Sequence, residues 1–239
     1  QKDDRSPLTE ADTRSHQIIS RALQDQYPEI PVLSEEGKEI SYSVRRTWPR
    51  FWLVDPLDGT KEFIKRNGEF TVNIALIEKD RPIWGVIYIP VTGACYVADA
   101  DRGAWQLKDG ELRELSVTIP GERSVRVVKS RSHPSPQLEE VLQLLPEHEV
   151  IVRGSALKFC AVAAGEADFY PRFGPTWEWD TAAGQAIVQG AGGLVVGLDG
   201  VPIRYNKANL VNGYFMVCPN LDWLKHEGIL AKTATLNIH

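Results

Sequence analysis

Apolar residues gather in short strand-like runs between about residues 70 and 117, and turn-forming pairs separate these runs. The pairs are Lys-Asp, Thr-Gly, Arg-Gly and Asp-Gly, which favour tight connections between neighbouring strands. The stretch therefore predicts an antiparallel meander. Its predicted strands lie at residues 70–77, 83–89, 94–98 and 104–107.

The pattern before the meander is first helical and then extended. Residues 9–12 resemble the capping box that starts a helix, and apolar residues then recur at helical spacing until Pro28. Two short apolar runs follow, at residues 31–33 and 51–54, and we interpret both as strands. The second run ends at Asp55.

The pattern after Pro120 and Gly121 alternates between strand-like and helix-like segments, which favours an α/β half with helices covering its sheet. Predicted strands lie at residues 125–128, 149–153, 168–170 and 194–196, and predicted helices at residues 136–145, 156–164 and 181–189. We therefore predict a layered α+β fold with a meander half, residues 1–118, and an α/β half, residues 119–239.

The bulk composition narrows the functional classes. The chain has 239 residues, is 43% hydrophobic and carries a net charge of −5, which argues against a protein that coats nucleic acid. Its three cysteines are widely spaced, so we expect no disulfide scaffold, no thiolate zinc site and a reducing cytoplasm as the compartment. No apolar run approaches the roughly 18 residues that span a bilayer. We expect a monomer, and peripheral association with the inner membrane face stays open.

The string W-L-V-D-P-L-D-G-T at residues 52–60 is the most informative motif. A buried strand delivers Asp55 at its carboxyl end, and Asp58 follows on what we expect to be a tight turn. Together with the Leu57 carbonyl, these hard oxygens suit Mg²⁺, and Gly59 lets the backbone approach an anion closely. A surface turn without a ligand is the alternative, because turns favour Asp, Pro and Gly.

Further acidic residues lie at the ends of predicted elements. Glu35 and Glu36 follow the first predicted strand, and Asp180 stands at the start of a helix rich in small residues. Each has a structural alternative, because a pair of glutamates is usually a solvated loop and Asp is a common N-cap residue. A shared metal site requires these residues to converge, which spacing alone does not establish.

The strings S-E-E, W-L-V-D-P-L-D-G-T and W-D-T-A-A-G, in this order, resemble the signatures of the inositol-monophosphatase superfamily of lithium-sensitive metal phosphatases. The resemblance covers roughly residues 2–217 and implies the sugar-phosphatase fold with two or three bound Mg²⁺ ions. The implied metal ligands are Glu35, Asp55, the Leu57 carbonyl, Asp58 and Asp180, with Asp55 bridging two ions. The resemblance also implies catalytic roles for Glu35 and for Thr60, which Asp12 would orient to help deprotonate the attacking water. Without the resemblance, Asp12 is explained by the dipole of its helix.

The nucleotidase branch of this superfamily resembles the chain most closely, through the strings at residues 6–9, 58–64 and 170–175. The implied substrate contacts are Gly59, Thr60, His133, Ser155, Lys158, Arg172 and Asp180. Lys158 and Arg172 stand where inositol monophosphatases carry an uncharged and an acidic residue, which shifts the preferred ligand towards a dianion. A solvated Lys158 and a structural ion pair at Arg172 are the alternative.

The expected reaction is therefore Mg²⁺-dependent hydrolysis of the 3′-phosphate of adenosine 3′,5′-bisphosphate to AMP and phosphate, in sulfur assimilation. The alternatives are an inositol-1-phosphate or sugar bisphosphate phosphatase, and a catalytically silent nucleotide or metal sensor. Two departures from the family pattern bear on this expectation. Family members carry about one more helix before residue 2, so we expect the complete natural protein to begin earlier, and Trp177 and Glu178 stand where smaller or less acidic residues are expected.

Overall fold

A seven-stranded sheet is the largest layer of the computed structural model, which describes residues 7–132, 135–145 and 147–235. Its strands are β1 (Val32–Ser34), β2 (Arg50–Asp58), β3 (Thr71–Glu78), β4 (Arg81–Ile89), β5 (Ala94–Asp99), β6 (Gly103–Lys108) and β7 (Glu111–Glu114). They lie in chain order, with β1 parallel to β2 and each later pair antiparallel. The predicted meander is confirmed.

Three helices belong to this half: α1 (Pro7–Gln26), α2 (Tyr42–Arg45) and α3 (Thr60–Ile64). The chain is already helical at Pro7, so the predicted helix start at residues 9–12 is wrong and Asp12 lies in the second turn. α1 packs on β1 and β2. Its Ser15 Oγ donates to the Pro56 carbonyl at 2.9 Å, and its His16 Nδ1 lies 2.9 Å from Ser34 Oγ, which brings α1 to the ends of both strands.

As far as residue 197 the second half largely alternates strands and helices as predicted, whereas the short strands at residues 176–177, 211–212 and 215–218 and the two helices after residue 220 were not predicted. Its elements are β8 (Val125–Ser130), α4 (Pro136–Leu142), β9 (His148–Arg153), α5 (Leu157–Ala163), β10 (Tyr170–Arg172), β11 (Thr176–Trp177), α6 (Glu178–Gly190), β12 (Leu194–Gly197), β13 (Val211–Asn212), β14 (Phe215–Cys218), α7 (Leu221–His226) and α8 (Ile229–Thr233). β8 and β9 pair in parallel, and β14 lies between β10 and β12. The predicted helix at residues 181–189 begins three residues earlier than expected, at Glu178.

α6 joins the two halves because it packs on the seven-stranded sheet and on α5. Close approach depends on glycine: a Cβ atom on Gly85 of β4 would lie 2.8 Å from the Cβ of Ala186, and one on Gly184 would collide with the ring of Phe159. One continuous hydrophobic core therefore includes residues from both halves, on either side of the predicted boundary at residues 118–124. The division into residues 1–118 and 119–239 stays a prediction.

Asp168 anchors the connection between the halves and is fully buried. Its carboxylate accepts hydrogen bonds from Arg123 Nη1 at 2.7 Å, Arg126 Nη2 at 2.8 Å and Thr118 Oγ1 at 2.7 Å. We call these four residues the Asp168 cluster. Burial alone would raise the pKa of Asp168, but the hydrogen bonds from the two arginines outweigh it and hold the pKa below its ordinary value.

Candidate active site

A β-bulge near the end of β2 sets the two aspartates of the D-P-L-D string. Asp55 pairs with Asn73 and Asp58 pairs with Thr71. Between these two pairs β2 advances by three positions and β3 by only two, so β2 carries one extra residue. The expected tight turn is therefore wrong, because the string continues the strand. A bulge bends a strand and re-aims its side chains, and Asp58 comes close enough to Asp55 to raise the pKa of that carboxyl.

Four carboxylates from three elements approach one another here: Glu35 after β1, Asp55 and Asp58 on β2, and Asp180 as the third residue of α6. We call them the acidic cluster. Burial, followed by repulsion from the other three, raises the pKa of Asp55 well above its ordinary value. Burial and Asp58 raise the pKa of Asp180 to about 8, and burial, followed by nearby acids that begin with Asp12, raises the pKa of Glu35 to about 7. The site therefore favours a bound cation.

The acidic cluster fits Mg²⁺ by its chemistry. Within the described ranges, no three His, Cys, Asp or Glu side chains converge closely enough to enclose a metal ion on their own. Mg²⁺ does not need such a cage, because it keeps several waters and borrows oxygens from substrate phosphate. The donors present are hard carboxylate oxygens, and the buried N–H of Leu57 already orients Asp55 by donating to its Oδ1 at 3.0 Å.

A cavity of about 270 Å³ opens beside the acidic cluster. Seven of the residues predicted from the sequence line it together: Asp58, Gly59, Thr60, Ser155, Lys158, Arg172 and Asp180. The cavity is not lined by Glu35, Asp55, Leu57 or Asp12. Glu35 lies close enough to Asp12 and Asp58 for their charges, after burial, to raise its pKa. The predicted contact His133 lies outside the described residues.

Two buried cations, Lys158 and Arg172, line the same cavity. Lys158 is 5% exposed, so a solvated lysine is excluded, and burial with help from Arg172 lowers its pKa to about 8. Arg172 is 9% exposed, and its buried Nε has no hydrogen-bond partner among the described residues. Its guanidinium does donate to the Pro175 carbonyl, at 3.2 Å. A buried guanidinium with an unsatisfied N–H is suited to an anionic ligand.

The loop between β9 and α5 brings Ser155 to the acidic cluster. Ser155 has a positive φ of 49°, which is uncommon for a residue with a side chain. Its hydroxyl donates to Asp58 Oδ2 at 2.5 Å, and its carbonyl accepts a hydrogen bond from Lys158 Nζ. Gly59, at φ 92°, lies so close that an added Cβ would stand 3.2 Å from the Ser155 Cβ. The two halves of the molecule therefore meet at this point.

Sequence reasoning missed three buried polar residues near the cavity: Glu62, Thr71 and Asn73. Glu62 accepts a hydrogen bond from Ser132 Oγ at 2.7 Å. Thr71 and Asn73 share the buried face of β3, where alternate residues are buried. A signal for them exists in the sequence, because they stand in phase with the apolar residues Ala75 and Ile77 and thus place polar groups on a face that should be apolar.

The unusual pair before the W-D dipeptide, Trp177 and Glu178, makes its contacts away from the cavity. Glu178 is fully buried and accepts hydrogen bonds from the backbone N–H of Asn206 at 2.7 Å and from Lys207 Nζ at 2.7 Å. Trp177 stacks on Trp179 with ring centroids 5.2 Å apart. Neither Trp177 nor Glu178 is among the lining residues.

Fold and site together are those of a metal-dependent phosphatase, and the chain belongs to the inositol monophosphatase family. The family model matches residues 1–237, so the resemblance continues beyond residue 217. The chain is 50% identical over 217 residues to the 3′(2′),5′-bisphosphate nucleotidase CysQ of Escherichia coli strain K12, covering 90% of this chain and 87% of that protein. It is 34% identical to CysQ of Haemophilus influenzae, covering 93% and 84%.

A solved structure supports the same relationship. CysQ from Bacteroides thetaiotaomicron, a bacterial member of the inositol monophosphatase family, superposes with a TM-score of 0.80 at 45% identity, covering 90% of this chain and 86% of that one. The predicted sugar-phosphatase fold is confirmed. Among the described residues, no helix has the length and apolar character to cross a bilayer.

Proposed function

We propose that this chain hydrolyses the 3′-phosphate of adenosine 3′,5′-bisphosphate to AMP and inorganic phosphate, in sulfur assimilation. As a member of its family it is a phosphoric monoester hydrolase that depends on a metal ion, generally Mg²⁺. The nucleotidase relatives at 50% identity support the substrate. The observation that carries the proposal is one cavity lined both by Asp58 and Asp180 of the acidic cluster and by the buried cations Lys158 and Arg172.

The acidic cluster would hold the metal. Glu35, Asp55, Asp58, Asp180 and the Leu57 carbonyl are the proposed ligands for two or three Mg²⁺ ions. When bound, the ions neutralise the phosphate dianion, activate the attacking water and support the leaving oxygen. The crowding of these carboxylates, expressed in the raised pKa values of Glu35 and Asp180, supports this assignment.

The residues beside the ligands would handle the proton and the phosphate. Thr60 lines the cavity, and Asp12 lies on α1, which contacts the short helix α3 that Thr60 begins. We propose that Thr60, oriented by Asp12, accepts a hydrogen bond from the attacking water and that the proton of this water passes to the Glu35 carboxylate. The water oxygen bonds to phosphorus as the bond from phosphorus to the ribose 3′-oxygen breaks, and the leaving oxygen takes up a proton from solvent water to become the 3′-hydroxyl of AMP. Gly59 lets the backbone N–H groups at the start of α3 approach the phosphate oxygens.

The buried cations of the cavity would bind the rest of the nucleotide. Lys158 and Arg172 are proposed to hold the 5′-phosphate, which does not react, and Ser155 lies between them and the acidic cluster. A contact from His133 stays a prediction. An inositol phosphate has no second phosphate to occupy these two cations, so their burial favours the bisphosphate.

A comparison of two substrates tests the role of Lys158. In Lys158→Ala, KM for adenosine 3′,5′-bisphosphate should rise about ten- to a hundredfold, because a charge-assisted contact contributes roughly 1.5–3 kcal/mol. KM for adenosine 3′-monophosphate, which lacks the second phosphate, should change little. Lys225→Ala removes an exposed lysine and serves as the matched control. Equal losses on both nucleotides would overturn the proposed role.

A substrate panel tests the reaction itself. Phosphate release from the adenosine bisphosphate should greatly exceed release from inositol-1-phosphate and from fructose bisphosphate under the same Mg²⁺ concentration. A preference for inositol-1-phosphate would replace the proposal with the inositol phosphatase alternative. No release from any of the three would favour a silent sensor.

A further inference from the structure

A chain of buried hydroxyl and amide groups leads from β3 to Asp58. Thr71 is fully buried and Asn73 is 1% exposed. Thr71 Oγ1 lies 2.7 Å from Ser155 Oγ and 2.9 Å from Asn73 Oδ1, and because the single Ser155 hydroxyl proton goes to Asp58, the Thr71 hydroxyl donates to Ser155. Both residues that the Thr71 hydroxyl contacts donate to Asp58 Oδ2: Ser155 Oγ lies 2.5 Å from it and Asn73 Nδ2 lies 3.4 Å from it. Thr71 therefore contacts both groups that donate to this carboxylate oxygen.

The two donors come from different parts of the molecule. Asn73 lies on β3 of the large sheet, whereas Ser155 belongs to the loop before α5 and has a backbone conformation with positive φ. The Ser155 hydroxyl could rotate to other acceptors, among them the Asp58 carbonyl at 3.2 Å. Contact with Thr71 fixes the position of that hydroxyl, because no solvent reaches the Thr71 side chain to compete for it.

We infer that Thr71 is a positioning residue, which orients Asp58 for cation binding through the hydroxyl of Ser155 and the amide of Asn73. The inference rests on the proposed function, in which Asp58 is a metal ligand. It also gives Ser155 a role towards the metal site in addition to the predicted contact with substrate. Groups that orient a metal ligand typically change metal affinity ten- to a hundredfold when they are lost.

Thr71→Val tests this inference, because it keeps the shape of the side chain and removes the hydroxyl. We expect the Mg²⁺ concentration that gives half-maximal kcat/KM to rise about tenfold. We also expect Mg²⁺ alone, without substrate, to raise the unfolding temperature less than in the wild type at the same concentration. Thr71→Ser, which restores the hydroxyl, should recover both values.

Thr233→Val is the matched control. Thr233, in α8, is also buried, and its hydroxyl lies 3.2 Å from the carbonyl of Leu230 in the same helix and 3.2 Å from that of Leu198, just after β12. Its loss should lower the unfolding temperature equally with and without Mg²⁺. The same Mg²⁺-independent loss in Thr71→Val, with wild-type half-saturation, would overturn the inference and leave Thr71 a purely structural residue.

A second variant covers the case in which Thr71→Val does not fold. Ser155→Ala removes the middle of the chain of contacts, and its response to Mg²⁺ alone is independent of any substrate contact. A weakened response supports the inference, and a wild-type response overturns it. Failure of the proposed function has a separate signature: the wild type would then show neither a response to Mg²⁺ nor phosphate release from the adenosine bisphosphate.

Discussion

Two almost fully buried aspartates, Asp168 and Asp55, have opposite surroundings. Asp168 receives hydrogen bonds from two arginines and a threonine, and its pKa is held low. Asp55 receives one backbone hydrogen bond and faces other carboxylates, and its pKa is raised. The countercharge of Asp168 comes from the chain, whereas the arrangement around Asp55 favours a countercharge from outside.

The difference separates stabilising charges from functional ones. A buried charge that is paired and fully hydrogen-bonded can be retained at little net cost, and losing its partner is expensive. A crowd of like charges destabilises the folded state until a cation binds. Lys158 is the cationic counterpart in the cavity, because burial disfavours its charged form as well and lowers its pKa. The acidic residues of the cavity therefore favour a bound cation, and its buried cations favour a bound anion.

Asp55→Asn should produce the largest effect on activity. Loss of one charge at the proposed bridging ligand would weaken two metal sites, so kcat/KM should fall well below a tenth of wild type, a barrier increase above about 1.4 kcal/mol. In the absence of Mg²⁺ the free energy of unfolding should stay the same or rise, because repulsion with Asp58 and Glu35 is relieved. Phosphate release and urea unfolding measure the two quantities. Retention of more than a tenth of the rate contradicts the bridging role.

Asp168→Asn should show the reverse behaviour. Removing the charge leaves two arginines without their shared partner, and the free energy of unfolding should drop by about 2–3 kcal/mol. Activity at temperatures where the variant is folded should change little, since Asp168 does not line the cavity. Asp80→Asn is the control: its pair with Arg204, at 3.3 Å, is about half exposed and should contribute less than about 1 kcal/mol. Equal losses in both variants would contradict the importance of the Asp168 cluster.

The pH dependence of nucleotide binding should show the smallest effect. The Lys158 pKa is lowered to about 8, so its positive charge is present below that pH and is lost as the pH rises through it. Between pH 7 and pH 9 the charged fraction of Lys158 falls about tenfold, and KM for adenosine 3′,5′-bisphosphate should rise by a similar factor. Adenosine 3′-monophosphate provides the control, because it lacks the 5′-phosphate that Lys158 is proposed to bind. The same rise for both nucleotides would assign the effect to another residue.

The hydrophobic pattern predicted most of the fold because strands β2 to β6 and helices α4 to α6 carry their own apolar faces. It missed α2 and α3, which have four and five residues and are too short for a periodic signal. It placed the start of α6 three residues late because Trp177, Glu178 and Trp179 contain none of the favoured N-cap residues. The bulge in β2 depends on pairing with β3, which no local pattern reports.

The sequence predicted many of the residues that line the cavity but not the contacts between them. Seven lining residues followed from motifs and the family resemblance, because their identities are dictated by the chemistry of phosphate and metal. Thr71 and Ser155 are 84 positions apart in the sequence, and their contact exists only once the halves pack together. The Asp168 cluster was missed for the same reason, since Asp168 and Arg123 are 45 positions apart.

The small residues of α6 have a mechanical consequence. Asp180 and Ala186 lie on one rigid helix, about 9 Å apart along its axis, and Ala186 rests against Gly85 of the sheet. On the far side, Gly184 rests against Phe159 of α5. The helix is thus held between two layers, and this close packing fixes the position of Asp180 in its first turn. The small residues A-A-G at positions 182–184 therefore match the close spacing of these layers, whereas Thr181 before them lines the cavity.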